Sequence, residues 1–294
     1  MIHPLIHFGF GVEFQQPTVI AEALAQAACH NNFFGPFLRT CEKLVKEQTN
    51  EKGSALIDLM REIRKEPSLY DVEYWDGGDS LNDKIVSEAP QKLCEIAARW
   101  TVKVDELEEK TAEMMNANAF LAGAAQRPDK EVKLDFFFIH CVNASIFFSV
   151  INAQPWLSAQ NKARLLEWKG RTDLLTYASR LAPEMHRDEI PNYTPRQGGM
   201  TWPLLIKRAN KISHDDGHIP KLIRALAHGA QVCARYEARQ ELSSRFPLKA
   251  DGWLRIANMA LDTTTNARLP DRWVRGAGGA HNWEKFGSRG NPIC

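Results

Sequence analysis

Residues 133–151 read KLDFFFIHCVNASIFFSVI, and this stretch decides the fold class. Apolar side chains occur on nearly every side of a helix here, which is typical of a helix that is covered all round. His140 and Asn143 interrupt the run, whereas a membrane span requires about 20 mostly apolar residues. We therefore predict a central core helix that other helices surround.

Helical periodicity continues on both sides of this run, with apolar residues three and four positions apart. Pro67 ends one such stripe, and Ser158 is a good N-cap for a helix that follows it. Further helices are predicted at 85–100, 104–121, 202–212, 220–242 and 251–262.

No alternating strand pattern longer than a few residues occurs, and there is no internal repeat. These features predict a single all-α domain over residues 1–294. The tail, residues 268–294, is predicted to be irregular. It either drapes over the core through Trp273 and Trp283 or is partly disordered.

Charge and cysteine usage restrict the class of protein. The formal net charge is +1, so nothing points to nucleic acid or to an anionic membrane as a partner. The six cysteines include no CxxC pair, and the first residues lack the basic region of a secretory signal. We expect a cytoplasmic protein with free thiols.

Common cofactor motifs are missing. Gly9 and Gly11 do not complete a GxGxxG sequence, which argues against a dinucleotide fold for a flavin or a nicotinamide. The chain also has no Walker A motif and no GxSxG nucleophile elbow. Nine histidines remain as the main carriers of chemistry.

Three histidines have informative positions. His3 and His7 are four residues apart, so a helix would place both imidazoles on one face, within reach of one metal ion. His140 lies in the apolar run and needs a partner, because an unsatisfied buried polar group costs about 1–3 kcal/mol. That partner is either a backbone carbonyl or a metal ion.

A second histidine pair, His214 and His218, precedes Lys221. Pro220 favours the start of a helix, so Lys221 should lie in the first turn, where the helix dipole disfavours an ammonium. A buried lysine there would lose its proton more easily and could take up CO₂ as a carbamate, an anionic metal ligand. The alternative is a solvated lysine, since lysine is seldom fully buried.

Five segments of the chain, taken together, resemble the questin oxidase-like family, and the resemblance runs from the first residues to about Trp283. These segments are His3–Gly11 (HPLIHFGFG), Ala21–Ala27 (AEALAQA), Asp135–His140 (DFFFIH), Asp216–Leu226 (DGHIPKLIRAL) and Trp273–Gly278 (WVRGAG).

The resemblance implies a Baeyer–Villiger-type oxygenase that uses O₂ to open a ring of a small aromatic polyketide in fungal secondary metabolism, with NADPH implicated. It also implies a mononuclear non-haem iron with His3, His7, His140 and a carbamylated Lys221 as ligands. His218 matches a motif position and is expected to be a catalytic residue beside the metal. Imidazole and oxygen anions suit iron, and we expect Phe137, Phe138 and tryptophans to line the substrate pocket.

The family also carries a helical segment before the HPLIH motif, with a further histidine. Because this chain begins two residues before His3, we expect it to be N-terminally truncated relative to the family and to lack that ligand. Two other functions stay open. The His214–Asp215 dipeptide would suit an HD-type metal phosphohydrolase, and a truncated chain could be a non-catalytic helical protein.

Overall fold

The computed structural model describes residues 2–47, 53–70, 90–196, 198–212, 216–264 and 271–289. Those residues contain no β-strand, only two isolated bridges, so the all-α prediction is confirmed. The α-helices are α1 (Ile2–Glu13), α2 (Pro17–Cys29), α3 (Gly35–Glu47), α4 (Leu56–Arg64), α5 (Gln91–Ala98), α6 (Leu107–Ala124), α7 (Phe136–Ser145), α8 (Phe147–Asn152), α9 (Ala159–Ser179), α10 (Trp202–Ala209), α11 (His218–Glu237) and α12 (Gly252–Asp262).

Helix α6 is the most deeply covered helix near the centre of the molecule. Every residue from 110 to 124 is buried, including Glu113. Glu113 tolerates burial because its carboxylate accepts from Leu56 N at 2.9 Å and from the Arg245 guanidinium, and a buried charge needs such partners.

The apolar run that was predicted to be one helix forms two, α7 and α8, which meet at Ile146. Asp135 begins the first of them, since its carboxylate accepts from Phe137 N at 2.8 Å. Eight of the ten residues of α7 are buried, so the prediction of a core helix here is confirmed. The predicted cap of α9 is confirmed too, because Ser158 Oγ accepts from Asn161 N at 3.3 Å.

Part of the predicted irregular tail packs on the start of α7. The second carboxylate oxygen of Asp135 accepts from Gly276 N at 2.8 Å and from Ala277 N at 2.9 Å. Arg180 Nε lies 3.7 Å from the same oxygen, and both side chains are fully buried. Trp273 and Trp283 are buried as well. Of the two alternatives for the tail, residues 271–289 therefore adopt the one in which the tail packs over the core.

Helices α1 and α2 form a hairpin on the outside of this core. Helix α1 approaches α8 so closely that a Cβ on Gly9 would lie 2.1 Å from the Phe147 ring. Glycine is thus required at this crossing. Within α2, by contrast, only Ala23 is buried, and Leu24 is 58% exposed.

No helix in the part of the chain that the structure describes is long and apolar enough to cross a membrane. Two sequence-based expectations fall on residues outside the described ranges. They are the first part of the helix predicted at 85–100 and the His214–Asp215 dipeptide.

Candidate metal centre

Three helices that are far apart in sequence bring three imidazoles together. His3 comes from α1, His140 from α7 and His218 from the start of α11. The ring centroids of His3 and His140 are 5.2 Å apart, and those of His140 and His218 are 4.9 Å apart. His140 is buried, the His218 side chain is 12% exposed and His3 is exposed, so the cluster opens to solvent on the His3 side.

The Nδ1 atoms of His140 and His218 are both held by oxygen acceptors. His140 Nδ1 lies 2.6 Å from the Phe136 carbonyl oxygen one turn earlier. A carbonyl can only accept, so this nitrogen must carry the proton. His218 Nδ1 contacts the carboxylate of Asp216. Burial opposes ionisation of Asp216, but the hydrogen bond and charge of His218 hold its pKa below the usual value, so His218 Nδ1 donates as well.

As a result, two Nε2 atoms with no remaining proton face each other, 3.2 Å apart. Burial lowers the pKa of His140 to about 4, so this imidazole is neutral near pH 7 and presents a lone pair. Two facing lone pairs repel, and a positive species between them removes the repulsion. That species is either a proton on His218 Nε2 or a metal ion.

The donor set fits a metal ion in two respects. Metal–nitrogen bonds of about 2.0–2.1 Å at tetrahedral or right angles separate two ligand nitrogens by roughly 2.8–3.4 Å, and the His140–His218 separation of 3.2 Å lies in this range. Anchoring of Nδ1 by a carbonyl or a carboxylate is also the usual support of metal-binding histidines. As the side chains lie, however, no group of three His, Cys, Asp or Glu residues within the described ranges closes around an ion.

The other residues expected at the site lie farther out. His7 Nε2 contacts Glu22 Oε2 of α2 at 3.2 Å, and the His7 side chain is 42% exposed. Loss of solvent around the rings is the largest cause of the lowered pKa values of His3 and His140, and the positive charge of Lys221, one turn into α11, lowers both a little further. The charge of His30, at the end of α2, also lowers the pKa of His3. The structure thus groups His218, rather than His7, with His3 and His140.

The sequence indicated His218 as a residue beside the metal and not as one of its ligands. One local feature of the sequence could have indicated that its imidazole is held in a fixed orientation. Gly217 has a φ of +86° and serves as the N-cap of α11, which fits glycine better than any other residue. The turn it makes lets Asp216, two residues before His218, reach back to the ring. An Asp-Gly-His sequence before a helix therefore supplies an oriented imidazole.

An aromatic ring and a cation complete the surroundings of the cluster. The Phe136 ring lies 4.6 Å from the ring of His140 and 5.0 Å from that of His218. The Arg275 guanidinium lies 4.1 Å from the centroid of Phe136. The segment that Asp135 holds in place therefore brings a positive charge to the edge of the site.

A cavity of about 10 Å³ lies beside the cluster, between α1, α7 and α11. Another, of about 660 Å³, is an open groove along α10. Phe137 and Phe138, which we expected in a substrate pocket, line neither one. Phe138 packs near Tyr177, and Phe137 lies under the Arg180 guanidinium.

An all-helical chain with a cluster of oriented imidazoles is thus the class that the fold and the site define. A model of the questin oxidase-like family matches residues 1–226. The chain belongs to this family.

Several curated relatives match nearly the whole chain. "Questin oxidase" of Aspergillus fumigatus is 42% identical over 289 residues, which is 96% of this chain and 64% of the relative. "Baeyer-Villiger oxidase mdpL" of Emericella nidulans is 43% identical over 291 residues, with 97% and 64% covered. "Baeyer-Villiger oxidase ptaJ" of Pestalotiopsis fici is 39% identical over 290 residues, again with 97% and 64% covered. The chain therefore spans a little under two thirds of the length of these relatives.

Proposed function

We propose that this chain forms the metal-binding part of an iron-dependent oxygenase that opens a ring of an aromatic polyketide. One observation carries the metal assignment: the Nε2 atoms of His140 and His218 face each other at 3.2 Å while each Nδ1 is held by an oxygen. The type of reaction is supported by the relatives, which are named for questin oxidation and for Baeyer–Villiger oxidation.

In this proposal, His140 and His218 bind iron through Nε2, and His3 completes the group from α1. The resemblance adds His7 and a carbamylated Lys221 as ligands, which requires both side chains to turn toward the cluster. Bound iron would supply the activation of O₂ that organic side chains do not provide. Asp216 and the Phe136 carbonyl fix the orientation of the two rings, which makes the site rigid before the metal binds.

The net reaction requires a reductant. Insertion of one oxygen atom of O₂ beside a carbonyl leaves the second atom to form water, which consumes two electrons and two protons. NADPH is the donor that the resemblance suggests. Negative charge that develops on the substrate carbonyl would be stabilised by Arg275, whose guanidinium lies over Phe136 at the edge of the cluster.

Iron content tests the metal assignment directly. The chain is purified, loaded with Fe(II) under anaerobic conditions and analysed for bound iron together with His140→Ala and His218→Ala. We expect both variants to lose most of their iron, whereas His186→Ala, which changes a histidine outside the cluster, keeps it. Full iron occupancy in His140→Ala and His218→Ala would refute the site.

His7→Ala tests the part of the ligand set that rests on the resemblance alone. If His7 turns from Glu22 to the metal, this variant binds less iron than the chain with Glu22→Gln, which only releases the histidine. Equal iron binding by the His7→Ala variant and the parent chain would remove His7 from the ligand set and leave the three-histidine cluster intact.

A further inference from the structure

The small cavity beside the histidine cluster is lined mainly by apolar atoms, and it contains one uncharged polar side chain, Asn143, to which the proposed reaction gives no role. It is lined by Ile6 and Phe10 of α1, Asn143 of α7, Ile146, Phe147 of α8, and Lys221 and Arg224 of α11. Asn143 follows His140 by three residues, and Lys221 follows His218 by three residues. Because three residues rise about 4.5 Å along a helix, the cavity lies one turn beyond the imidazoles.

Asn143 is 3% exposed, and its Oδ1 atom is buried without a hydrogen-bond partner among the described residues. Leaving a buried acceptor unsatisfied costs about 1–3 kcal/mol, so the molecule gains from any donor that reaches it. The acceptor lines a cavity of about 10 Å³. A single water needs about 10–15 Å³ and two to four polar partners.

Two cations in the same wall can supply the remaining partners. Arg224 is already engaged, since it pairs with Glu13 and lies 5.5 Å from the Phe10 ring. Lys221 makes no ion pair with any side chain in the described ranges, and its Cε lies near Gly217. A water that bridges Asn143 to Lys221 would satisfy the acceptor and also restrain a long, flexible side chain.

We propose that this cavity binds one water molecule between Asn143 Oδ1 and Lys221 Nζ, and that Asn143 is a positioning residue for Lys221. Nζ donates to this water as the ammonium of the metal-free chain, and a carbamylated Lys221 keeps one N–H for the same hydrogen bond. The positioning role rests on the proposed function, since it is useful only if Lys221 serves the metal. The water itself depends only on the cavity and its wall.

The first test is a crystal structure of the metal-free chain at a resolution that shows ordered waters. We expect a water peak within hydrogen-bond distance of Asn143 Oδ1 and Lys221 Nζ. In Asn143→Leu, which keeps most of the side-chain volume but removes the acceptor, the peak should vanish and Lys221 should shift. Asn143→Asp keeps an acceptor and should keep the water. An empty cavity in the parent chain would overturn the proposal.

Asn152→Leu is a matched control. Asn152 of α8 also has a buried Oδ1 without a partner among the described residues, but it does not line the cavity. This variant should leave the water peak and the position of Lys221 unchanged. If Lys221 shifts as much in Asn152→Leu as in Asn143→Leu, the effect is general loosening and the positioning role of Asn143 is wrong.

Iron affinity then separates the two proposals. Groups that support metal ligands change metal affinity by about 10–100-fold when they are removed, so Asn143→Leu should weaken iron binding by that factor and Asn143→Asp should restore it. Iron binding that is unchanged in Asn143→Leu would overturn the positioning role. If the parent chain binds no iron at all, the proposed function falls, while the water peak and the position of Lys221 still decide the inference.

Discussion

Replacing Asp135 by asparagine should lower the free energy of unfolding far more than an ordinary surface substitution does. Asp135 is fully buried, and one of its oxygens caps α7 while the other accepts from Gly276 N and Ala277 N beside Arg180. An asparagine has one acceptor oxygen and one NH₂ group. Its oxygen can therefore accept either from the N-terminus of α7 or from the 271–289 segment, but not from both. On the other side, its NH₂ group would face backbone N–H donors without an acceptor between them.

The magnitude follows from the burial of the pair. Removing one partner of a buried ion pair costs about 3–5 kcal/mol, because the other charge keeps its desolvation penalty. This cost already includes part of the penalty for the backbone N–H groups that lose an acceptor, so the two penalties are not added. We expect a decrease of about 3–5 kcal/mol in the free energy of unfolding for Asp135→Asn.

Urea unfolding followed by circular dichroism measures this change as a shift of the midpoint at constant slope. Asp251→Asn is the control, since the Asp251 side chain is 73% exposed and pairs with Arg255 on the surface, and such pairs contribute about 0–1 kcal/mol. A loss of less than about 1 kcal/mol in Asp135→Asn would show that the carboxylate does not bear the role assigned to it.

Three further outcomes are expected. Gly9→Ala should destabilise the chain by about 1–3 kcal/mol through overpacking, and by less in a Phe147→Ala background, since the added Cβ would lie 2.1 Å from Cγ and 2.4 Å from Cδ1 of Phe147, two atoms that alanine lacks. Equal losses in the two backgrounds would refute the contact. Burial, then the charge of a neighbouring arginine, lowers the pKa of His228 below 6.5, while a nearby glutamate opposes the shift. As the pH falls below 6.5, this histidine takes up a proton more readily in the unfolded chain than in the folded chain, so the free energy of unfolding decreases. Between neutral and mildly acidic pH, the urea midpoint of His228→Gln should therefore decrease less than that of the parent chain. Tyr193→Phe removes a hydrogen bond to the buried carboxylate of Asp262 and should lower the free energy of unfolding by about 1.5–3 kcal/mol in the same urea assay, which an unchanged midpoint would contradict.

The helices could be predicted from the sequence where a local rule determines them. The cap at Ser158 and the apolar run that contains α7 are examples. The burial of Glu113 could not be predicted, because its stability depends on Arg245, more than one hundred residues away. The break at Ile146 has no proline or glycine to mark it.

The candidate site shows the same division. The apolar surroundings of His140 predicted a buried imidazole that needs a partner, and the structure places this imidazole in the cluster with His3. The spacing of four residues between His3 and His7 indicated a shared face, but the structure places His7 against Glu22 of α2 and not in the cluster. That contact comes from the packing of α2 on α1, which no spacing within α1 reveals.

The burial of residues 110–124 of α6 has a consequence during synthesis on the ribosome. Helix α4, which precedes α6, packs against it, but four larger neighbours, α7, α9, α11 and α12, follow it in the chain. At about 5–20 residues per second, roughly 7–28 s pass between the emergence of residue 124 and that of residue 262. For that time the surface of α6 that these four helices cover in the folded chain stays exposed, and exposed apolar surface of this kind promotes aggregation.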